Sequence, residues 1–153
     1  MPTTSIRVDV KRRLYDLLSR AGDNALVQVS YGFPQERVED RAIWLGSVTG
    51  TSEIANMKAG RKSRDDAFDI DVWVWANQPA DGTGVDADEA CIDLYATVEN
   101  VLADSPTLNL EGAALTGLLH AVVSTVEGPT VFPTDEGHAS QMRVVVSCKT
   151  RLT

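Results

Sequence analysis

The stretch FDIDVWVWAN, residues 68–77, decides the fold. Phe68, Ile70, Val72, Val74 and Ala76 alternate with Asp69, Asp71, Trp73, Trp75 and Asn77. Side chains on a strand project to opposite faces in turn, so a strict period of two makes this a strand and excludes a helix. One face is wholly apolar and the other mixes carboxylates with indoles. Strands of a fully parallel sheet run continuously apolar, so this alternation points to a mostly antiparallel sheet.

Downstream, NQPADGTG breaks the chain. Residues 86–104 then read as a helix, with Ala87, Ala90, Cys91, Leu94, Tyr95, Val98, Val101 and Leu102 in one apolar stripe. Asp86 is placed to cap it, Glu89 completes a capping-box pattern, and Pro106 stops it. Two more strands are predicted, around 118–127 and 138–152, joined by the tip GPTVFPTDEG. Upstream, residues 50–63 (GTSEIANMKAGRKS) show no period and few apolar side chains, so a long loop is expected there. Before it come strands near 42–49 and within ALVQVSYG. Before those, a helix spans 5–21, with Ile6, Val10, Leu14, Leu17 and Leu18 on one face, Ser5 as cap and Gly22 as stop. Helices flanking runs of strands give an α+β fold, a mostly antiparallel sheet of about five strands with two main helices packed on it.

The chain has 153 residues and is 43% hydrophobic, which predicts a single domain, 1–153. A chain of this size buries roughly 70% of the surface its unfolded form exposes, enough for a core without disulfides or metal. The formal net charge is −8, which argues against general phosphate binding. There is no apolar run long enough to cross a membrane as a helix, and the N-terminus lacks the pattern of a signal peptide. Cys91 and Cys148 make no disulfide framework.

Enzymatic signatures are missing: no CxxC, HExxH or GxSxG occurs. Gly60-Arg61-Lys62-Ser63 approaches the end of a phosphate-binding loop, but Arg61 and Asn56 stand where that loop requires glycine. His120, among Leu119, Ala121 and Val122, reads as a sheet-embedded structural histidine, and His138 as a solvent-exposed one beside the tip. No catalytic residue, cofactor site or metal site is therefore expected.

What remains is a set of candidate interface residues. Asp69 and Asp71 lie on one strand face about 7 Å apart. They could share a hard cation, meet basic groups of a neighbouring subunit, or form a solvated surface. Trp73 and Trp75 share that face, so something covers it in part: either the helix at 5–21 or a partner subunit. Lys58, Arg61, Lys62 and Arg64 form a basic cluster in an acidic chain. They could contact DNA, pair with acidic groups on a neighbour, or be solvated.

The layout resembles the tail terminator proteins of long-tailed bacteriophages, also called tail-completion or minor tail proteins. The likeness rests, in order, on VKRRLYDLL, a strand ending at Tyr31-Gly32, the strand DDAFDIDVWVWA, the helix DADEACIDLYATVENVLADSPTL and the terminal strand RVVVSCKTRL. It implies a non-enzymatic virion protein of the tail or neck, assembled in the bacterial host cytoplasm. Such subunits form a homo-oligomeric ring, usually a hexamer, that caps the tail tube and stops its polymerisation. The ring meets the tail tube protein on one side and the head–tail connector protein on the other. Double-stranded DNA passes through its lumen without specific binding. No membrane is involved, and the family lends no catalytic residues. Alternatives are a head-side neck protein (a stopper or adaptor) and a small oligomeric enzyme or ligand-binding domain.

Overall fold

The computed structural model describes residues 6–23, 26–58, 61–79, 82–135 and 137–152. Helix α1 (Arg7–Asp23) precedes strands β1 (Gln28–Ser30), β2 (Arg41–Lys58) and β3 (Arg61–Pro79); helix α2 (Gly84–Asp104) then leads to β4 (Leu118–Thr134) and β5 (Gly137–Leu152). The strands form one five-stranded sheet in the order β1-β2-β3-β5-β4. Only β1–β2 is parallel; the other pairs are antiparallel. The α+β reading holds.

The alternation at 68–77 builds the core. Ile70, Val72 and Val74 face the helices and are fully buried. Val10, Leu14 and Leu18 of α1 and Cys91, Leu94, Val98 and Leu102 of α2 pack on them, with Met142, Val144 and Val146 of β5 alongside. The helical spacings of three and four put each set on one stripe, so both helices lie on the same side of the sheet.

Several boundaries differ from expectation. Residues 50–58 and 61–63 are not loop: β2 and β3 run through them as an antiparallel ribbon that pairs Met57 with Lys62 and Lys58 with Arg61, while residues 59–60 of the expected loop lie outside the described residues. Apolar periodicity is the signal by which a sequence announces a strand, and 50–63 carries none, yet the backbone groups pair regardless. The tip expected at 128–137 is also mostly strand, with β4 running to Thr134. β4 is an edge, where Pro129 and Pro133 deprive no neighbour of a ladder bond, and its register shifts three times against β5.

The cap of α2 is Thr83, not Asp86. The Thr83 hydroxyl accepts from the Asp86 N–H, and the Asp86 carboxylate accepts from the Thr83 N–H. Asp86 thus occupies the third position of the capping box rather than its first. Gly22 does not stop α1 but lies within its last turn, where a Cβ would meet Val29 Cγ2 at 3.0 Å. The expected cap Ser5 lies outside the described residues.

Candidate functional site

Because both helices cover one side, the other side of the sheet carries no helix among the described residues. The expectation that the 5–21 helix shields Trp73 and Trp75 fails: α1 packs on the face bearing Val72 and Val74. Asp69, Asp71, Trp73 and Trp75 stand together on the open face, and strand register brings further aromatics to them. Trp44 pairs with Trp73 across β2–β3. Phe33 sits edge-on over Trp44, ring centroids 5.3 Å apart, and Trp75 packs against Phe132 at 5.3 Å. The Trp73 indole lies over Gly46, whose absent side chain leaves it room. The result is an aromatic strip across β2, β3 and β4, with Trp44 buried beneath a Phe33 that is 66% exposed. Beside it, Arg37, Asp40, Asn77 and Thr134 line an open groove.

Further along the same face the side chains are charged and mutually satisfied. Arg143 donates to Asp71 at 2.9 Å and lies 3.3 Å from Glu127. Asp71 is the first cause of a raised Arg143 pKa. Ser147 donates to Asp69 at 2.7 Å. Arg151 grips Asp65 through two bonds, at 2.8 and 3.2 Å, with Lys149 at 3.8 Å. The Arg151 bonds hold the Asp65 carboxyl below the usual carboxylate range. Asp69 and Asp71 therefore already have partners from β5 in the same chain. Among the described residues no group of His, Cys, Asp or Glu is arranged to hold a metal ion.

The basic residues lie elsewhere. β5 ends against β3 with Leu152 opposite Arg64, so beyond that point the β2–β3 ribbon pairs only with itself among the described residues. Lys58, Arg61 and Lys62 occupy this projecting part and Arg64 its root. Arg64 is about 17 Å along the strand from Asp69. At the root, Asp66 is buried and accepts two bonds from Arg7 at the start of α1, at 2.8 and 3.1 Å. Arg7 also lies over the Phe68 ring at 5.4 Å.

The remaining polar candidates are not assembled into a site. His120 is exposed on the edge strand opposite Lys149, not embedded as expected. His138 is half-buried, its Nδ1 without a hydrogen-bond partner. Both cysteines are free and buried. Desolvation pushes the Cys91 thiol up to about 11 and the Cys148 thiol up to about 12.

The sequence did not reveal Phe33, Trp44 or Phe132 as site residues. Trp44 joins Trp73 through β2–β3 pairing, and Phe132 reaches Trp75 from β4 across the intervening β5, neither of which periodicity within one strand encodes.

No family model matches the chain, and no curated protein matches it. Among solved structures it is similar to a chain described as "Virion of native gene transfer agent (GTA) particle", with 13% identity and a TM-score of 0.62. The match covers 92% of this chain and 93% of that one, so the two share a fold nearly from end to end.

Proposed function

We propose that this chain is a structural protein of a phage-like virion that assembles into a homo-oligomeric ring at the head–tail joint. In this reading the ring caps the tail tube, halts its polymerisation and offers a joining surface to the connector, while duplex DNA passes through. The observation that carries it is the near-complete fold match to a virion chain. Two features of the site support it: an aromatic strip on an uncovered sheet face, and a basic ribbon projecting from the body. Ring contacts are heterologous, joining two different patches, and Lys58, Arg61, Lys62, Arg64, Asp69, Asp71, Trp73 and Trp75 supply candidates for both. A net charge of −8 suits a conduit that must not grip a polyanion.

Light scattering on a sizing column, with negative-stain micrographs, tests this. A discrete closed ring that binds the ends of tail tubes is the expected result. The triple change Arg61→Glu, Lys62→Glu, Arg64→Glu should abolish it. A chain that stays monomeric at every concentration overturns the reading.

A further inference from the structure

The exposed large apolar side chains of the described residues are not scattered; they gather at the two edges of the sheet. Val8, Leu26, Tyr31 and Phe33 lie at the β1 edge. Leu119, Val122, Val126 and Val131 lie on β4, the opposite edge, with Val85 and Ile92 on α2 above it. Leu26 is the extreme case: it is 91% exposed and holds a φ of +56°, a left-handed conformation that leucine rarely adopts. Single exposed hydrophobics are ordinary on a protein surface, but contiguous ones mark a surface that a partner covers.

The helices give these edges opposite charge. Helix α1 packs on β1 and β2, and α2 chiefly on β3, β5 and β4. Lys11 lies over the Tyr31 ring at 4.4 Å and Tyr15 meets that ring edge-on at 6.0 Å, so this flank of α1 looks toward the β1 edge. Val8 stands one turn before Lys11 and Arg12 on the same flank. Arg7 is held by Asp66, Arg13 by the carbonyls of Leu108 and Ala113, and Arg20 by Glu111. Arg12 is exposed and makes no ion pair or hydrogen bond among the described residues. Helix α2 carries Asp86, Asp88, Glu89, Asp93, Glu99 and Asp104 and no Lys or Arg, and no ion pair among the described residues involves it. Two contacts fix its flank over β4: Ser140 donates to Asp88 at 2.7 Å, and a Cβ on Gly84 would meet Val131 Cγ1 at 3.2 Å. Ile92 is one turn beyond Asp88 and two beyond Val85, so both apolar residues stand on that flank, bordered by Glu89 and Glu99. Val126 pairs with the buried Val144 and Val131 with Ser140, which puts both on the helix side of β4. Three register shifts and two prolines unfit β4 for adding a further strand, so a partner here meets side chains.

We infer that the β1 edge of one copy packs against the β4 edge of a second copy of this chain. Val8, Leu26 and Tyr31 seat against Val85, Ile92, Val126 and Val131, while Lys11 and Arg12 face Glu89 and Glu99. Charge selects the occupant: the acidic edge repels its own kind, and the basic flank that complements it is on the same chain. The contact joins two different patches, so it repeats head to tail, as a closed ring requires. It rests on the ring reading and supplies the sideways contact between neighbours.

Charge exchange tests it. One variant carries Lys11→Glu and Arg12→Glu, a second Glu89→Lys and Glu99→Lys, and a third all four changes. By sedimentation the first two should each assemble about tenfold more weakly than the unmodified protein. The third should recover, because its edges carry exchanged but still opposite charges; two further substitutions would not restore a chain that had lost its fold. Leu26→Asn separates contact from stability. Asparagine suits the left-handed backbone better than leucine, so the monomer should melt no lower while assembly weakens about tenfold. If the unmodified protein assembles and the reversed variants assemble equally well, or the fourfold variant stays weak while melting normally, the edge contact falls and the ring reading stands. If the unmodified protein never assembles, the ring reading falls and takes the edge contact with it. If the variants form normal rings that no longer bind the ends of tail tubes, these edges meet the tube protein and the inference is wrong.

Discussion

At the scale of single residues, the buried ion pair between Arg7 and Asp66 fixes the start of α1 to the root of the ribbon. The Asp66 side chain is 2% exposed and Arg7 29%. Removing one partner of a fully buried pair costs about 3–5 kcal/mol. Arg7 regains some water, so Asp66→Ala should cost about 2–3 kcal/mol in urea unfolding. The thiols give a pH signature. Both have folded pKa values raised above the ordinary 9.0, because burial disfavours the thiolate. Their contribution to stability is complete below about pH 9 and is lost as pH rises towards 11 to 12. Each group removes about 1.4 kcal/mol per pH unit within that window. The double variant Cys91→Ala, Cys148→Ala should therefore show a visibly flatter decline in unfolding free energy between pH 9 and 11.

At the scale of elements, the capping box of α2 is testable without disturbing the core. Thr83→Ala leaves the Asp86 N–H without its side-chain acceptor and should cost about 1 kcal/mol, a fall of roughly 2–4 °C in Tm for a domain of this size. Gly50 tests the ribbon. It pairs with Phe68, and a Cβ there would collide with the Ala67 carbonyl oxygen and the Phe68 Cα. Gly50→Ala must push β2 and β3 apart and should cost about 1–3 kcal/mol by thermal melting. The elements differ in how far the sequence announced them. Residues 68–77, α1 and α2 were legible because each buries one face, and burial imposes a period on residue type. The strands through 50–58 and 61–63 were illegible because the backbone hydrogen bonds that hold their ladder leave no mark on residue type. The site divides the same way. Asp69, Asp71, Trp73 and Trp75 were found because they alternate within one strand. Phe132 comes from a strand distant in sequence, and Phe33 from the connection between β1 and β2.

At the scale of the whole molecule, the sheet has one covered face and one open face, and the two respond differently to truncation. A core change such as Val74→Ala opens a cavity and unfolds the protein more easily whether or not it assembles. Phe33 is the opposite case. It is exposed in the isolated chain and rests on Trp44 by one edge-on contact, so Phe33→Ala should lower the unfolding free energy of the monomer by only about 0.5–1.5 kcal/mol. If the aromatic strip is buried between subunits, the same ring sits at the centre of a desolvated patch. Such aromatic anchors cost about 2 kcal/mol or more when truncated, roughly a thirtyfold loss of affinity. The expected outcome is a variant whose monomer melts almost normally but whose concentration for half-assembly rises at least thirtyfold in sedimentation. Tryptophan emission gives a second reading, since closing the strip should shift the emission to shorter wavelength on assembly in the unmodified protein. A Phe33→Ala chain that assembles at the normal concentration would take the strip out of the subunit contact and leave it free for the tube or the connector.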